Sequence, residues 1–173
     1  MLNNAIINKY LKGAKMKLYS PNFTERISLK FVYPLCGGKN ISPELLWEEF
    51  PKETKSFAIT MFDPDAPTDH GWWHWVVVNI PTNITTFPEN AGNPESKYFN
   101  LGLQTLNDYG EIGYGGPCPP EGPAHRYIIT VYALSVEEIK TSPDVNPQIL
   151  TQYIKEYAID SDSIMGLYKR GWS

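Results

Sequence analysis

The chain has 173 residues, 42% of them apolar and 20% charged, with a formal net charge of −4. Those figures suit a folded core and exclude a disordered chain, and the missing positive charge excludes capture of nucleic acid or of an anionic bilayer as a leading role. No apolar run reaches membrane-spanning length, so no membrane insertion is expected.

In chain order, residues 1–15 stand apart. Leu2, Ile6, Tyr10 and Leu11 fall roughly on one helical face with lysines between them. An amphipathic helix, a disordered leader and an upstream start before Met16 all fit; the segment reads as a peripheral extension without assigned function. Residues 16–173 read as one domain. Ile27–Tyr33 is expected as a short strand and Pro34–Pro43 as a loop. Ser56–Phe62 is expected as a buried strand, Asp63–Trp72 as a proline-broken loop, and Trp73–Ile80 as the strongest strand, β-branched and aromatic throughout. Pro81–Leu106 is polar and irregular. Gly110–Pro123 holds five Gly and four Pro in fourteen residues. Neither helix nor ladder tolerates that, and the prolines make it a shaped loop rather than a linker. Arg126–Leu134 is the next strand. One helix starts near Asn146, a plausible N-cap followed by Pro147. Ile149, Leu150, Tyr153, Ile154 and Tyr157 form its apolar stripe. Thirteen Gly and fifteen Pro fit this turn-rich, mainly β reading.

Cys36 and Cys118 allow one bridge or two free thiols. Free thiols and a cytoplasmic location are expected, because residues 1–15 carry no secretory pattern. Asn22, Asn40 and Asn83 stand in N-x-S/T sequons, which mean nothing without export.

Candidate chemistry gathers at two strand ends. If the strands at 56–62 and 73–80 pair around their loop, Asp63 and His74 lie nearly opposite at its mouth, where the carboxylate can orient the imidazole. His125 and Tyr127 are two apart on the next strand and share a face. Two imidazoles, a phenol and a carboxylate beside a glycine-rich loop suit a small anion, with imidazole, phenol and glycine N–H groups as donors. Each residue alone has a plainer reading: Asp63 as a turn former, His74 and Tyr127 as packing, His70 as a solvated loop residue. Alternation sends Trp73 and Trp75 to one face. A metal site from Asp63, His70, His74 and His125 is a weaker alternative, since Gly71 breaks the spacing. Cys118 with His125 offers a nucleophile–base pair. No nucleophile elbow, P-loop or dinucleotide fingerprint is present, and no cofactor is expected.

Asp63-Pro64-Asp65-Ala66-Pro67, then Trp72-Trp73-His74-Trp75-Val76-Val77-Val78-Asn79, then Pro119-Pro120, Gly122 and His125-Arg126-Tyr127 occur in that order. The set resembles the phosphatidylethanolamine-binding protein family, also called the Raf kinase inhibitor protein family. The short loop after Asp63-Pro64-Asp65-Ala66-Pro67 and the Asn40-Ile41-Ser42-Pro43 and Leu46-Trp47 stretches resemble its bacterial and archaeal branch. The likeness spans about residues 16–170. It implies an antiparallel β-sandwich with a Greek-key-like core, a few peripheral helices and a small anion pocket. Carried across, the ligand-binding residues are Asp63, His74, His125 and Tyr127. The rim is Ala66, Pro67, Trp72, Gly116, Cys118, Pro119 and Pro120. Tyr168 matches a late pocket tyrosine more loosely. Pro117 and Cys118 depart from animal members, which have Ser and Gly there. Residues 121–124 are one residue shorter than in the animal proteins.

The resulting expectation is a non-catalytic module that binds phosphate or a phosphorylated head group, with affinity rising toward mildly acidic pH. "Phospholipid-binding" is a family label here, not a claim of bilayer binding. An inhibitor or regulator of a protease or kinase is the second reading. A hydrolase using Cys118 or an activated water is the third. The physiological ligand and the oligomeric state are not legible in the sequence.

Overall fold

The computed structural model describes residues 16–173; the expectations for residues 1–15 lie outside it. Eight strands form two antiparallel sheets. The smaller runs β1 (Lys17–Tyr19), β2 (Leu45–Glu48) and β5 (Thr86–Phe87). The larger contains β3 (Ser56–Asp63), β4 (Trp72–Ile80), β6 (Leu103–Gln104), β7 (His125–Leu134) and β8 (Ala158–Tyr168) in the order β6-β4-β3-β7-β8. β3 and β4 pair as neighbours in the chain, and β7 returns after a long excursion to lie on the other side of β3. That long return is the Greek-key-like feature of an antiparallel sandwich. The helix α1 (Pro147–Tyr157) and three short 3₁₀ turns lie outside the sheets.

The core between the sheets joins Leu18, Leu45, Trp47 and Phe87 to Phe57, Ile59, Met61, Trp75, Val77, Ile129 and Val131. A second cluster covers the other face of the larger sheet. There Ala58, Trp73, Val76, Val78 and Leu134 pack with Leu150 and Ile154 of α1. β3 is therefore apolar at nearly every position instead of alternating, because both its faces are covered. Asn146 caps α1 by accepting from the Gln148 and Ile149 amides. The buried stripe is narrower than expected: Leu150 and Ile154 face the sheet, whereas Ile149 and Tyr153 are about half exposed.

Two bulges interrupt the β3–β4 pairing. Phe57 pairs with Ile80 but Ile59 with Val77, and Met61 pairs with Trp75 but Phe62 with Trp73. Each step places one extra residue on β4, which resets the alternation of its side chains. Trp73 consequently packs under the helix and Trp75 between the sheets. The expectation that both share a face is corrected by the bulge at His74.

Other expectations are also revised. Ile27–Tyr33 does not form a strand. The Ser28 hydroxyl accepts from the Lys30 amide and starts a 3₁₀ turn at Leu29–Phe31, and the Tyr33 amide donates to the Pro117 carbonyl. β8 follows α1 directly and was not foreseen. It is an edge strand with polar outward positions such as Ser161 and Ser163, so it lacks the β-branched run that marks a buried strand. Asp160 and Asp162 on it accept from the Met16 and Leu18 amides of the neighbouring segment.

Cys36 and Cys118 form a disulfide, with their Cα atoms 5.5 Å apart. The expected free thiols are corrected: the two segments meet because Tyr33, Val32 and Phe31 pack against the 114–117 loop. With the bridge formed, Cys118 has no thiol to act as a nucleophile, and the pairing with His125 is lost. Among the described residues no helix is long and apolar enough to cross a membrane.

Candidate functional site

Antiparallel pairing brings the end of β3 and the beginnings of β4 and β7 to one end of the larger sheet. On β3, Phe57, Ile59 and Met61 face the core between the sheets, so Asp63 continues the same face. On β7, Ile129, Val131 and Tyr127 share that core, and His125 continues their series. His74 joins them only because of its bulge. The structure thus gathers Asp63, His74, His125 and Tyr127 around one cavity of about 310 Å³. Ala66, Pro67, Thr68, Trp72, Tyr109, Cys118, Pro119 and Pro120 complete its walls.

The pairing within this group differs from the expected one. Asp63 lies opposite Trp72, and its Oδ2 accepts from His125 Nδ1 at 2.7 Å rather than from His74. Its Oδ1 accepts from the Asp65 amide. His74 donates from Nδ1 to the Gly115 carbonyl at 2.7 Å, while the Gly115 amide donates back to the His74 carbonyl. Asp63, His74 and Tyr127 are each at most 2% exposed and His125 is 7% exposed. Burial holds the His74 imidazole down to about 4, against the pull of the Gly115 carbonyl and the Asp63 carboxylate, so the ring is neutral near neutral pH. Burial, reinforced by Asp63, pushes the Tyr127 phenol far above its ordinary range, so it remains a donor.

The glycine-rich loop is a frame for the site more than a source of donors. The Gly116 amide donates to Asn40 Oδ1 at 2.7 Å, and the Gly116 carbonyl accepts from the Tyr109 hydroxyl at 2.7 Å. The amides of Gly115 and Gly116 are therefore occupied, and Gly116 is absent from the cavity wall where the rim was expected to include it. A Cβ at Gly116 would lie 2.0 Å from the Phe31 carbonyl oxygen, so this close approach requires glycine. Three residues were missed around the site: Thr68 in the cavity wall, Tyr109 and Asn40. Tyr109 lines the cavity, stacks on Tyr33 with ring centroids 4.0 Å apart, and meets His74 edge-on. Asn40, noticed only as a sequon and as part of a motif, anchors the loop through both Gly116 and the Tyr114 carbonyl.

At the mouth, Asp65 binds Arg126 through Nε, Nη2 and the backbone amide. That guanidinium holds the Asp65 carboxyl down to about 2. Arg170 donates to the Pro119 carbonyl and reaches Cys118 Sγ. Tyr168 pairs with His125 across β7 and β8 but is not a wall residue. His70 is outside the walls as well, 3.9 Å from Asp108, so the four-residue metal set is not assembled. The Ala66–Pro67 peptide is trans.

Six buried side-chain polar atoms among the described residues have no hydrogen-bond partner. Two of them, the Tyr127 hydroxyl and Trp72 Nε1, are on residues that line the cavity. Both are donors, and Trp Nε1 can only donate.

The fold and site together define a β-sandwich with a histidine-lined cavity at one sheet end. The sequence pattern described as phosphatidylethanolamine-binding protein matches residues 19–169, and the chain belongs to that family. The UPF0098 protein YbhB of Escherichia coli K12 is 42% identical over 157 residues, covering 88% of this chain and 99% of its own. A UPF0098 protein of Aquifex aeolicus is 39% identical, covering 98% of this chain and 99% of its own. The crystal structure of E. coli YbcL, described as a new member of the mammalian PEBP family, superposes with a TM-score of 0.87 at 36% identity. It covers 90% of this chain and 99% of its own. A putative homologue from Chlamydia trachomatis superposes with a TM-score of 0.75 at 32% identity, covering 91% and 98%.

Proposed function

We propose that the protein is a binding module whose cavity receives a small anion, a phosphoryl group above all. The observation that carries this reading is one cavity that gathers two imidazoles with two donor-bearing rings, the Tyr127 phenol and the Trp72 indole. Phosphoryl oxygens accept several hydrogen bonds at once and would satisfy both donors. His125, oriented by Asp63, would add a third whenever its ring carries a second proton. Asp63 acts through that imidazole, because an ionised carboxylate can only accept and repels an anion. Membership of a family of binding proteins supports a binding role of this kind.

Titration with phosphorylethanolamine and inorganic phosphate, followed by NMR, tests the proposal. The imidazole signals of His74 and His125 and the Trp72 indole signal are expected to move together and saturate at millimolar ligand. Signals that stay in place would remove the reading.

A further inference from the structure

The two sulfurs of the Cys36–Cys118 bridge have different surroundings. Cys36 ends the short turn Pro34–Cys36, between Leu35, which is 86% exposed, and exposed Gly37. That turn is fastened by local backbone bonds, the Cys36 amide donating to the Tyr33 carbonyl and the Gly37 amide to the Pro34 carbonyl. Cys118 stands between buried Pro117 and Pro119 and lines the cavity. Its segment is held by distant ones: the Tyr33 amide donates to the Pro117 carbonyl and Arg170 Nε to the Pro119 carbonyl. From there Arg170 Nη2 reaches Cys118 Sγ at 3.5 Å. Among the described residues Arg170 forms no ion pair with a carboxylate. A guanidinium in that position does little for a neutral disulfide and much for a thiolate. The other titratable groups around the cavity are Asp63, His74, Tyr109, His125 and Tyr127, and the Asp63 carboxylate is engaged by His125.

We infer that the bridge is a directional thiol–disulfide switch in the cavity wall, in which an incoming thiolate adds to Cys36 and releases Cys118 as a thiolate held by Arg170. The attacked sulfur must be reachable, and exchange is faster when the departing sulfur has the lower pKa; both conditions select this direction. The reductant is a small dithiol or a dithiol protein. Its first thiolate bonds to Cys36 Sγ while the bond between the two cysteines breaks and its electron pair goes to Cys118. Its second thiol loses its proton, closes on the first sulfur and expels Cys36, which takes up that proton. The dithiol leaves as a disulfide, and the protein bridge has gained two electrons. What the switch controls rests on the phosphoryl reading above: reduction places a negative charge in the wall and occupies Arg170, so an anion is held more weakly. The exchange chemistry is independent of that reading.

Brief exchange of the oxidised intact chain with millimolar glutathione, quenched in acid and mapped by peptide mass spectrometry, tests the direction. Glutathione is expected on Cys36 at least about tenfold more often than on Cys118. In Cys36→Ser, the pH dependence of alkylation should place the Cys118 thiol about one unit below the free value of about 8.5, whereas Cys36 in Cys118→Ser should lie near that value. Arg170→Gln should abolish the difference and slow the first exchange step by roughly threefold or more, and Arg170→Lys, which keeps the charge, should retain most of both effects. Glutathione found equally on both cysteines or mainly on Cys118 overturns the inference. So does an Arg170→Gln protein that exchanges like the parent, or a bridge that resists millimolar glutathione for hours. None of these measurements involves an anion, so they leave the phosphoryl reading standing. Failure of phosphorylethanolamine to bind either redox form removes that reading and leaves the exchange chemistry intact.

Discussion

The Tyr127 hydroxyl lies near the Asp63 carboxylate but has no partner of good hydrogen-bond geometry within the protein. A buried donor without a partner is penalised by about 1–3 kcal/mol. Tyr127→Phe should therefore leave thermal stability unchanged or raise it, while weakening phosphorylethanolamine binding by roughly tenfold or more. Calorimetry beside a melting curve separates the two; a variant that loses stability and keeps its affinity would show the hydroxyl to be structural. His74 makes a second prediction. Its folded-state value is about 4 against an ordinary 6.5, so the unfolded chain takes the proton first as pH falls. The resulting stability is full above about pH 6.5 and is lost progressively toward about pH 4, by about 3 kcal/mol. Urea unfolding across that window should show the loss, and His74→Gln, which cannot titrate, should show correspondingly less of it. Parallel pH profiles for the two proteins would count against the buried neutral ring. Asp63, His74, His125 and Tyr127 were legible as neighbours around one cavity from strand pairing and motif order. Their partners were not, because a one-residue bulge decides which imidazole the carboxylate meets.

At the scale of elements, the loop between β6 and β7 depends on contacts far away in sequence. Asn40 holds its Gly116 amide, Tyr33 its Pro117 carbonyl, Arg170 its Pro119 carbonyl, and Cys36 its Cys118 sulfur. The disulfide closes 82 residues of chain. Its reduction, or a Cys36→Ser/Cys118→Ser variant, should lower stability by about 2–4 kcal/mol. It should also weaken phosphorylethanolamine binding by slackening the Pro119–Pro120 wall. Urea unfolding and calorimetry with and without reductant check both, and rapid labelling of two thiols in the native protein would show the bridge absent. The strands β3, β4 and β7 and the helix α1 were legible because their periodicity, β-branched content or capping residues are local. β8 was not, since an edge strand with Ser161 and Ser163 facing outward and Asp160 and Asp162 between them has no local mark that tells it from a loop. The 3₁₀ turn at Leu29–Phe31 deceived for the opposite reason. Its apolar residues are buried one by one, by tertiary contacts and not by a ladder.

For the whole molecule, binding and folding are linked, since the cavity exists only when β3, β4, β7 and the loop are assembled. A ligand at about a hundredfold over its Kd adds about 2.7 kcal/mol to folding stability. For a chain of this length that raises the melting temperature by roughly 5–10 °C. Phosphorylethanolamine should produce that rise in a thermal scan at saturating concentration, and sodium chloride at the same ionic strength should not. An equal rise with both would point to general salt stabilisation in place of a site.

The amino-acid sequence by itself determined the mainly β class, the antiparallel hairpin, the capped helix and the face shared by His125 and Tyr127. These follow from interactions among residues a few positions apart. Only the tertiary structure decided that Asp63 serves His125, that His74 turns its Nδ1 to Gly115, that Cys36 meets Cys118, and that Tyr109 and Asn40 belong to the site. Each of those depends on where distant segments close against one another. Hydrogen-bond direction at an imidazole is fixed by whichever acceptor that closure delivers.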